Sequence, residues 1–553
     1  MAHPRILLAG DAALLAELGS LDAVLALFQV TRARRLAGVT DLVPAARTLL
    51  AQFEPSVVTP DAVSAWLRRC WQESRGRMHV LANAPAGAGL PARTIEIPVH
   101  YTGDDLDEVA DRLGLSRAEL IERHTAHDFQ AAFAGFAPGF VYLTGGDACF
   151  HGLPRRPSPR TRVPAGSVAA AGEFSAVYPA ESPGGWQLLG ITPLRMWDLA
   201  RAEPALVQPG FRVRFRDLGA PEVVVSLPAP CAVTARISTA AESPGAVPGA
   251  FAAAVPHLEV LGAGLQTVFQ DLGRPGLTGM GVSCSGALDR GALRRANRLV
   301  GNRSDATVLE NALGGLRLAC HGRAVVAVTG AQVPVALTTA SGVRLPAAGG
   351  RALTMEDGQV LRIGQPRAGV RCYVAVRGGW AVPPVLGSCA TDVLAGIGPD
   401  PVRTGDRLVV GREAVAGDPM WQSKVDPESV RPHPRPGDVV TLDVVPGPRD
   451  DWFEPEALAR LQSQEWLVTP QSNRVGMRLS GHEPLPRRRK RELPSEGTVT
   501  GAIQVPANGQ PVLFLADHPL TGGYPVIAVV HSRELDRLGQ VPVGARLRFR
   551  FVN

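Results

Sequence analysis

The sequence predicts a β-rich α+β protein of several domains, and three observations carry that prediction. The chain has 553 residues, and domains of ~100–200 residues make that roughly three to five units. Its 60 glycines and 48 prolines punctuate many short apolar runs, the pattern of strands joined by turns. Hydrophobic residues make up 45% and charged residues 20%, the balance of a folded globular chain rather than a disordered one.

Residues 1–90 alternate strand and helix signals and predict a small α/β domain. Ile6-Leu7-Leu8 reads as a strand, residues 11–18 and 21–27 as helices, the run RTLLAQF as a strand and residues 61–71 as a further helix. Residues 91–225 form the next unit. It opens on a strand over 95–101. Leu106, Val109 and Leu113 then share one helical face that Gly114 ends. Ser116 and Glu119 have the spacing of a capping box for a helix over 117–124. Residues 130–218 are short strands between Gly and Pro, a barrel or a sandwich.

Residues 226–257 are rich in Ala, Pro, Ser and Gly and predict a linker, which as a coil would span roughly 30 Å. Residues 258–553 form the last unit. Its clearest helix runs over 287–300, with Leu288, Ala292, Ala296 and Leu299 on one face, Ser285 as N-cap and Gly301 as stop. The two halves end alike, in QPGFRVRFRDL (208–218) and VPVGARLRFRFV (541–552). Each ending follows a double glycine joined to an aromatic, SPGGW (182–186) and TGGYP (521–525). Two modules with one ending suggest related barrels.

The charge balance excludes several chemistries. Lysine occurs twice, at Lys424 and Lys490, and neither context suits a P-loop, a Schiff base or a biotin carrier. A phosphate would have to be held by Arg and backbone N–H groups. Seven scattered cysteines without a CxxC exclude a zinc ribbon and predict reduced thiols in the cytoplasm. No run of ~18 apolar residues is present, so no membrane span is expected. His124 and His127 stand three residues apart, but no third ligand is near them in sequence, so no metal site is assigned. RRRKR (487–491) is the single charge run. Without interleaved aromatics it reads as solvated surface, and no nucleic-acid partner is expected.

What remains is a set of loops. PAGSV (164–168), SPGGW and TGGYP could present consecutive N–H groups to an anion, or simply turn. Arg155, Arg156, Arg160 and Arg162 in PRRPSPRTRVPAGS suit a carboxylate or phosphate, or a solvated loop. Asp271 and Arg274 lie in QDLGRPG, and Asp289 in SGALDR. Asp517 and His518 open ADHPLTGGYPVIAVV. Each is ordinary alone.

Read together, these segments resemble a known family. GFAPGFVYL (135–143), PSPRTRVPAGSV (157–168) and VYPAESPGGWQLLGITPLRMWD (177–198) resemble the B subunit of bacterial ATP-dependent 5-oxoprolinase. LVPAARTLL (42–50) and the stretch from EVADRLGLS to His124 extend the likeness over nearly all of residues 1–225. The same family includes the first allophanate-hydrolase-type domain and an inhibitor of a sporulation histidine kinase. LQTVFQDLGRPG (265–276), GVSCSGALDRGALRRANRLVGN (281–302), LENALGG (309–315), YVAVRGGWAVPPVLGSCATD (373–392), QSNRVGMRL (471–479), LPSEGTVTGAIQVPANGQP (493–511) and residues 516–530 resemble the C subunit, the second allophanate-hydrolase-type domain. The chain is therefore similar to a fusion of the B and C subunits, a relative of the urea amidolyases.

The resemblance implies a ferredoxin-like domain over 1–90, a cyclophilin-like β-barrel over 91–225 and a pair of cyclophilin-like barrels over 258–553. It implies opening of the lactam of 5-oxo-L-proline to L-glutamate, driven by ATP with Mg2+, and a separate 5-oxoprolinase A subunit in trans. It is compatible with a homo-oligomer. On it, Asp271, Asp289, Asp517 and His518 would be catalytic. His124, Arg160, Arg162, Gly184, Gly185, Arg274, Thr521, Gly522, Gly523 and Tyr524 would hold substrate or phosphate. Two departures bear on the first half: Glu173-Phe174-Ser175-Ala176 replaces a Gly-Gln-Thr-Gly type stretch, and Ile191 stands where an arginine often follows Leu-x-Gly. Two alternatives compete: a biotin-dependent carboxyltransferase module of the urea carboxylase type, and a non-catalytic regulator of a histidine kinase.

Overall fold

The structure, a computed structural model, describes residues 3–82, 93–156, 158, 160–219, 255–412, 432–489 and 491–552. The expected linker lies outside the described residues up to 254, as do Lys424 and Lys490.

The N-terminal sheet is antiparallel, in the order Arg5–Leu8, Ala13–Glu17, Thr48–Phe53, Val39–Pro44. Helices Leu21–Ala33 and Pro60–Ala82 accompany it, the first capped by Ser20, whose side chain accepts from Ala23 N. The element order ββαββα is the ferredoxin-like βαββαβ cyclically permuted by one strand. The helix expected over 11–18 is instead the strand Ala13–Glu17. Leu14 and Ala16 pack in the helix-covered core, while Ala13 and Leu15 pack against Val43, Leu50 and Leu520 on the opposite face. With both faces buried the run shows no alternation, and pairing overrides the helix propensity of Ala and Leu.

The next seven strands run Gln187–Ile191, Ser167–Ala171, Phe174–Val177, Val141–Thr144, Phe129–Ala134, Arg212–Asp217, Thr94–Val99. His100 and Ile191 exchange backbone bonds of 2.8 and 2.9 Å and so link the two edges of this sheet. The capping box of Ser116 and Glu119 is present on helix Arg117–Ala126, and Gly114 caps Leu106–Leu113 at φ 66°.

In the second half, residues 257–409 form a six-stranded and a five-stranded sheet over one core. Helix Arg290–Val300 packs on the five-stranded sheet against Val308, Ala327 and Tyr373. Its N-cap is Asp289, whose Oδ1 accepts from Ala292 N at 2.7 Å, and not Ser285. Ser285 lies before the helix at φ 55° and donates to Asp517. Seven of the last nine strands close a barrel.

The shared ending has a shared topology. Arg212–Asp217 runs parallel to Thr94–Val99 and antiparallel to Phe129–Ala134. Arg546–Phe551 runs parallel to Val439–Val444 and antiparallel to Trp466–Leu467. Each barrel also carries a two-stranded ribbon, Arg160–Val163 with Ser182–Gly184 and Glu496–Gly497 with Thr521–Gly522.

Candidate functional site

The TGGYP loop sits where the two halves meet. Thr521 Oγ1 accepts from Phe136 N at 3.0 Å, and Phe136 holds φ 64°. A Cβ on Gly135 would stand 2.5 Å from that hydroxyl, so only glycine permits this approach. Tyr142 Oη lies 3.2 Å from Ser495 Oγ, Gly139 N donates to Met280 O at 3.0 Å, and Gly276 N donates to Asp41 Oδ1 at 2.9 Å. Arg155 reaches across the junction: its Nη1 is 3.1 Å from where a Cβ of Gly523 would be. The Arg487 guanidinium stands 5.6 Å over the ring of Tyr524, which is 42% exposed. Two arginines, Arg155 and Arg487, thus face this loop and its glycine pair.

Arg160 and Arg162 are placed elsewhere. Arg160 makes two bonds of 2.9 and 2.7 Å to Asp105, a carboxylate that also takes Arg156 and Leu188 N. Arg162 pairs with Glu181 at 2.6 Å on the surface. Gly184 pairs with Arg160 in the ribbon, and Gly185 O accepts from Arg156 N. In the second barrel the corresponding ribbon is tied by Glu496 to Arg449, which also meets Glu17 at 3.0 Å. The anchor has the same place in both barrels and opposite polarity.

His124 lies in the core of the first barrel, with Nδ1 2.7 Å from Tyr101 Oη and Nε2 3.3 Å from Ser175 Oγ. Burial pushes its pKa down to about 3, so the ring is neutral. The rings of Phe129, Phe150 and Phe215 surround it. His127 is exposed and turns to Asp147 at 3.6 Å. Of the two departures, Phe174 packs edge-on against Phe133 and Tyr142, and Ile191 is 38% exposed beside His100.

Asp517 is fully buried and fully engaged. It takes Arg474 Nε at 2.9 Å and Nη2 at 3.0 Å, Ser285 Oγ at 2.6 Å and Val393 N at 3.0 Å. Arg474 continues to Glu310, which accepts from Tyr373 Oη at 2.8 Å and Leu288 N at 3.1 Å. Asp289 N sits 2.8 Å from that same Tyr373 oxygen, and Asp289 Oδ2 takes Gln540 Nε2 at 2.8 Å. Burial, with Asp536 adding to it, raises the Asp289 pKa to about 6. His518 turns the other way, its Nδ1 3.2 Å from Thr498 Oγ1 and its ring on Phe514. Asp271 caps a turn, accepting from Ser388 Oγ at 2.6 Å, Cys389 N at 2.7 Å and Gly273 N at 2.8 Å. Arg274 is buried nearby and donates through Nη2 to Ala390 O.

The structure thus brings Asp271, Arg274, Asp289 and Asp517 into one half and places the glycine loop at the junction. Sequence reasoning did not single out Glu310, Arg371, Arg474, Asp392, Asp105 or Asp41. The signal for Glu310 and Arg371 was a charge inside an apolar strand, VLENA and AGVRCYVAV, which a folded chain tolerates only when it is paired.

Asp41 makes a test of the junction. It is 4% exposed, and burial raises its pKa to about 6 against the pull of Gly276 N–H, Arg35 and Thr278. The folded state therefore binds this proton more tightly than the unfolded chain, and its contribution to stability falls as pH rises from about 4 to about 6. Asp41→Asn keeps an acceptor for Gly276. It is expected to remove that slope and to strengthen the docked state at neutral pH. Thermal melts across this range read it, and an unchanged slope in the variant excludes Asp41 as the source.

Among the described residues no three His, Cys, Asp or Glu side chains gather to hold an ion, and no helix is long and apolar enough to cross a membrane. The described cysteines form no disulfide.

Two family descriptions match the chain: carboxyltransferase domain, subdomains C and D, over residues 4–207, and carboxyltransferase domain, subdomains A and B, over residues 280–551. The chain is 37% identical to the C subunit of 5-oxoprolinase from Escherichia coli K12 over 298 residues, 53% of this chain and 90% of that protein. It is 43% identical to the B subunit of 5-oxoprolinase from Escherichia coli O157:H7 over 164 residues, 29% of this chain and 69% of that protein. It is 31% identical to urea amidolyase of Lachancea kluyveri over 53% of this chain, but spans only 17% of that protein. A crystal structure of TTHA0988 superposes with a TM-score of 0.77 at 32% identity, covering 97% of this chain and 99% of that one.

Proposed function

The chain belongs to the carboxyltransferase-domain family of the 5-oxoprolinase B and C subunits, here fused in one polypeptide, and from that membership we propose that it is the B and C component of an ATP-dependent 5-oxoprolinase. The observation that carries this reading is that one chain matches both subunits, B over 29% and C over 53% of its length, and holds two carboxyltransferase regions in succession, 4–207 and 280–551. The reaction opens the lactam of 5-oxo-L-proline to L-glutamate in the cytoplasm, with a separate A subunit. A lactam is a stable amide, and ATP hydrolysis supplies the driving force.

The chemistry of the described residues does not fit a Mg2+–nucleotide site on this chain. The buried carboxylates described above are taken by arginine, hydroxyl, amide or backbone N–H groups, and no lysine stands in a phosphate-binding motif. On this reading the nucleotide belongs to the A subunit, and this chain binds and orients the small substrate. Arg155, Gly522, Gly523 and Tyr524 suit its carboxylate at the junction. Asp517 and Asp289 act as positioning residues, holding Arg474 and Gln540.

The test is 5-oxoproline-stimulated ATP hydrolysis with glutamate detected, for the chain alone and with its cognate A subunit. Activity is expected only with both. A folded complex without stimulation would sink the reading. The family description favours a second reading, a biotin-dependent carboxyltransferase module, and turnover of carboxybiotin by the same preparation would support it.

A further inference from the structure

Arg274 is an anomaly among the buried arginines. The residue is 2% exposed, yet its Nε and Nη1 have no hydrogen-bond partner in the protein. A buried guanidinium that leaves donors unmade forfeits free energy unless something supplies an acceptor. Burial pushes its pKa down, and Asp392, Asp271 and Asp517 oppose this through space without bonding it. Those three carboxylates are spent on other donors. Asp271 accepts from Ser388 and Cys389, Asp517 from Arg474 and Ser285, and Asp392 takes Ser283 Oγ at 3.0 Å and the N–H groups of Leu394 and Ala395 at 3.0 and 2.9 Å.

What the group lacks is therefore an acceptor atom and not a counter-charge. A phosphate would bring its charge beside three carboxylates. A neutral carbonyl oxygen, polarised by the guanidinium, meets no such repulsion. The surroundings are built rigidly: Gly273 holds φ 91°, and a Cβ there would lie 2.5 Å from Cys284 O. Solvent is one residue away, since Gly273, Cys284 and Val393 are half-buried and Leu394 is exposed. Gly276, two residues on, donates to Asp41 of the other half, so the group lies close to the junction.

We propose that Arg274 receives the amide carbonyl oxygen of a small cyclic amide, and not a phosphate or carboxylate. For the identity of that amide this rests on the proposed 5-oxoprolinase reading. The test titrates the full chain with 2-pyrrolidone, 5-oxo-L-proline and inorganic phosphate, for wild type and Arg274→Gln, with the melting temperature followed for both. Wild type is expected to bind both lactams, and phosphate not to displace them. Arg274→Gln is expected to weaken both by a common factor of about 10- to 100-fold, because the carbonyl is the group they share. Should Arg274→Gln not fold, Arg274→Lys keeps the charge without the planar fork and is expected to show a loss of the same sign.

Equal affinity in wild type and variant overturns the proposal. So does displacement by phosphate, or an Arg274→Gln variant that loses 5-oxoproline but keeps 2-pyrrolidone, which would make the carboxylate the group that Arg274 holds. An active enzyme whose KM and kcat are unchanged in Arg274→Gln overturns this inference alone. An inactive wild type whose 2-pyrrolidone binding is lost in the variant overturns the 5-oxoproline reading alone.

Discussion

Replacing Arg474 with Met is expected to destabilise the C-terminal half by about 3–5 kcal/mol at neutral pH, the cost of leaving buried charges unpaired. Two fully buried carboxylates, Glu310 and Asp517, share this one guanidinium. Burial alone would raise Glu310, but Arg474 and Arg371 outweigh it and hold the group below the usual range. The wild-type pair therefore contributes stability above the ordinary Glu pKa and loses it as pH falls. In the variant burial is less opposed, the folded pKa rises, and the sign reverses. The gap between wild type and variant should thus narrow on acidification. Denaturant titrations at neutral and mildly acid pH read both points. A loss under about 1 kcal/mol at neutral pH would show that the carboxylates do not depend on Arg474. A triple variant with Glu310→Gln and Asp517→Asn added should recover part of the loss.

Asp105→Ala carries the second large effect, about 2–3 kcal/mol. It removes the acceptor of Leu188 N and the counter-ion of Arg156 and Arg160. The cost is smaller than for Arg474 because both arginines are partly exposed, 32% and 20% by side chain. The first element to loosen should be the ribbon Arg160–Val163 with Ser182–Gly184, since Arg160 ties it to the barrel. Hydrogen exchange should quicken there before it quickens in Ser167–Ala171. Asp105→Asn, which still accepts from Leu188, should cost less. Uniform loosening of the whole sheet would refute the anchoring role.

Much of the fold was legible because local signals agreed with the tertiary result. The capping box at Ser116, the glycine stops at Gly114 and Gly301 and the twin endings all appear as read. The strand Ala13–Glu17 carries a helix signal in sequence because burial on both faces erases its alternation. The site was less legible, for a different reason. Asp517, Arg474 and Glu310 are far apart in sequence, and only the docking of helix, sheet and barrel brings them together. Arg155 and Arg160 were indistinguishable in one basic loop. The buried Asp105 decides that Arg160 is held back, while Arg155 extends to Gly523.

The closing strand of each barrel also dictates an order of events during synthesis. Thr94–Val99 waits for Arg212–Asp217, and Val439–Val444 for Arg546–Phe551, each more than a hundred residues later. The first barrel can zip shut while the ribosome is still adding the second half. The last barrel can do so only once residues 546–551 have left the ribosome. Until then the edge of Val439–Val444 stands open, so a nascent or prematurely ended chain carries an adhesive strand that the finished protein hides.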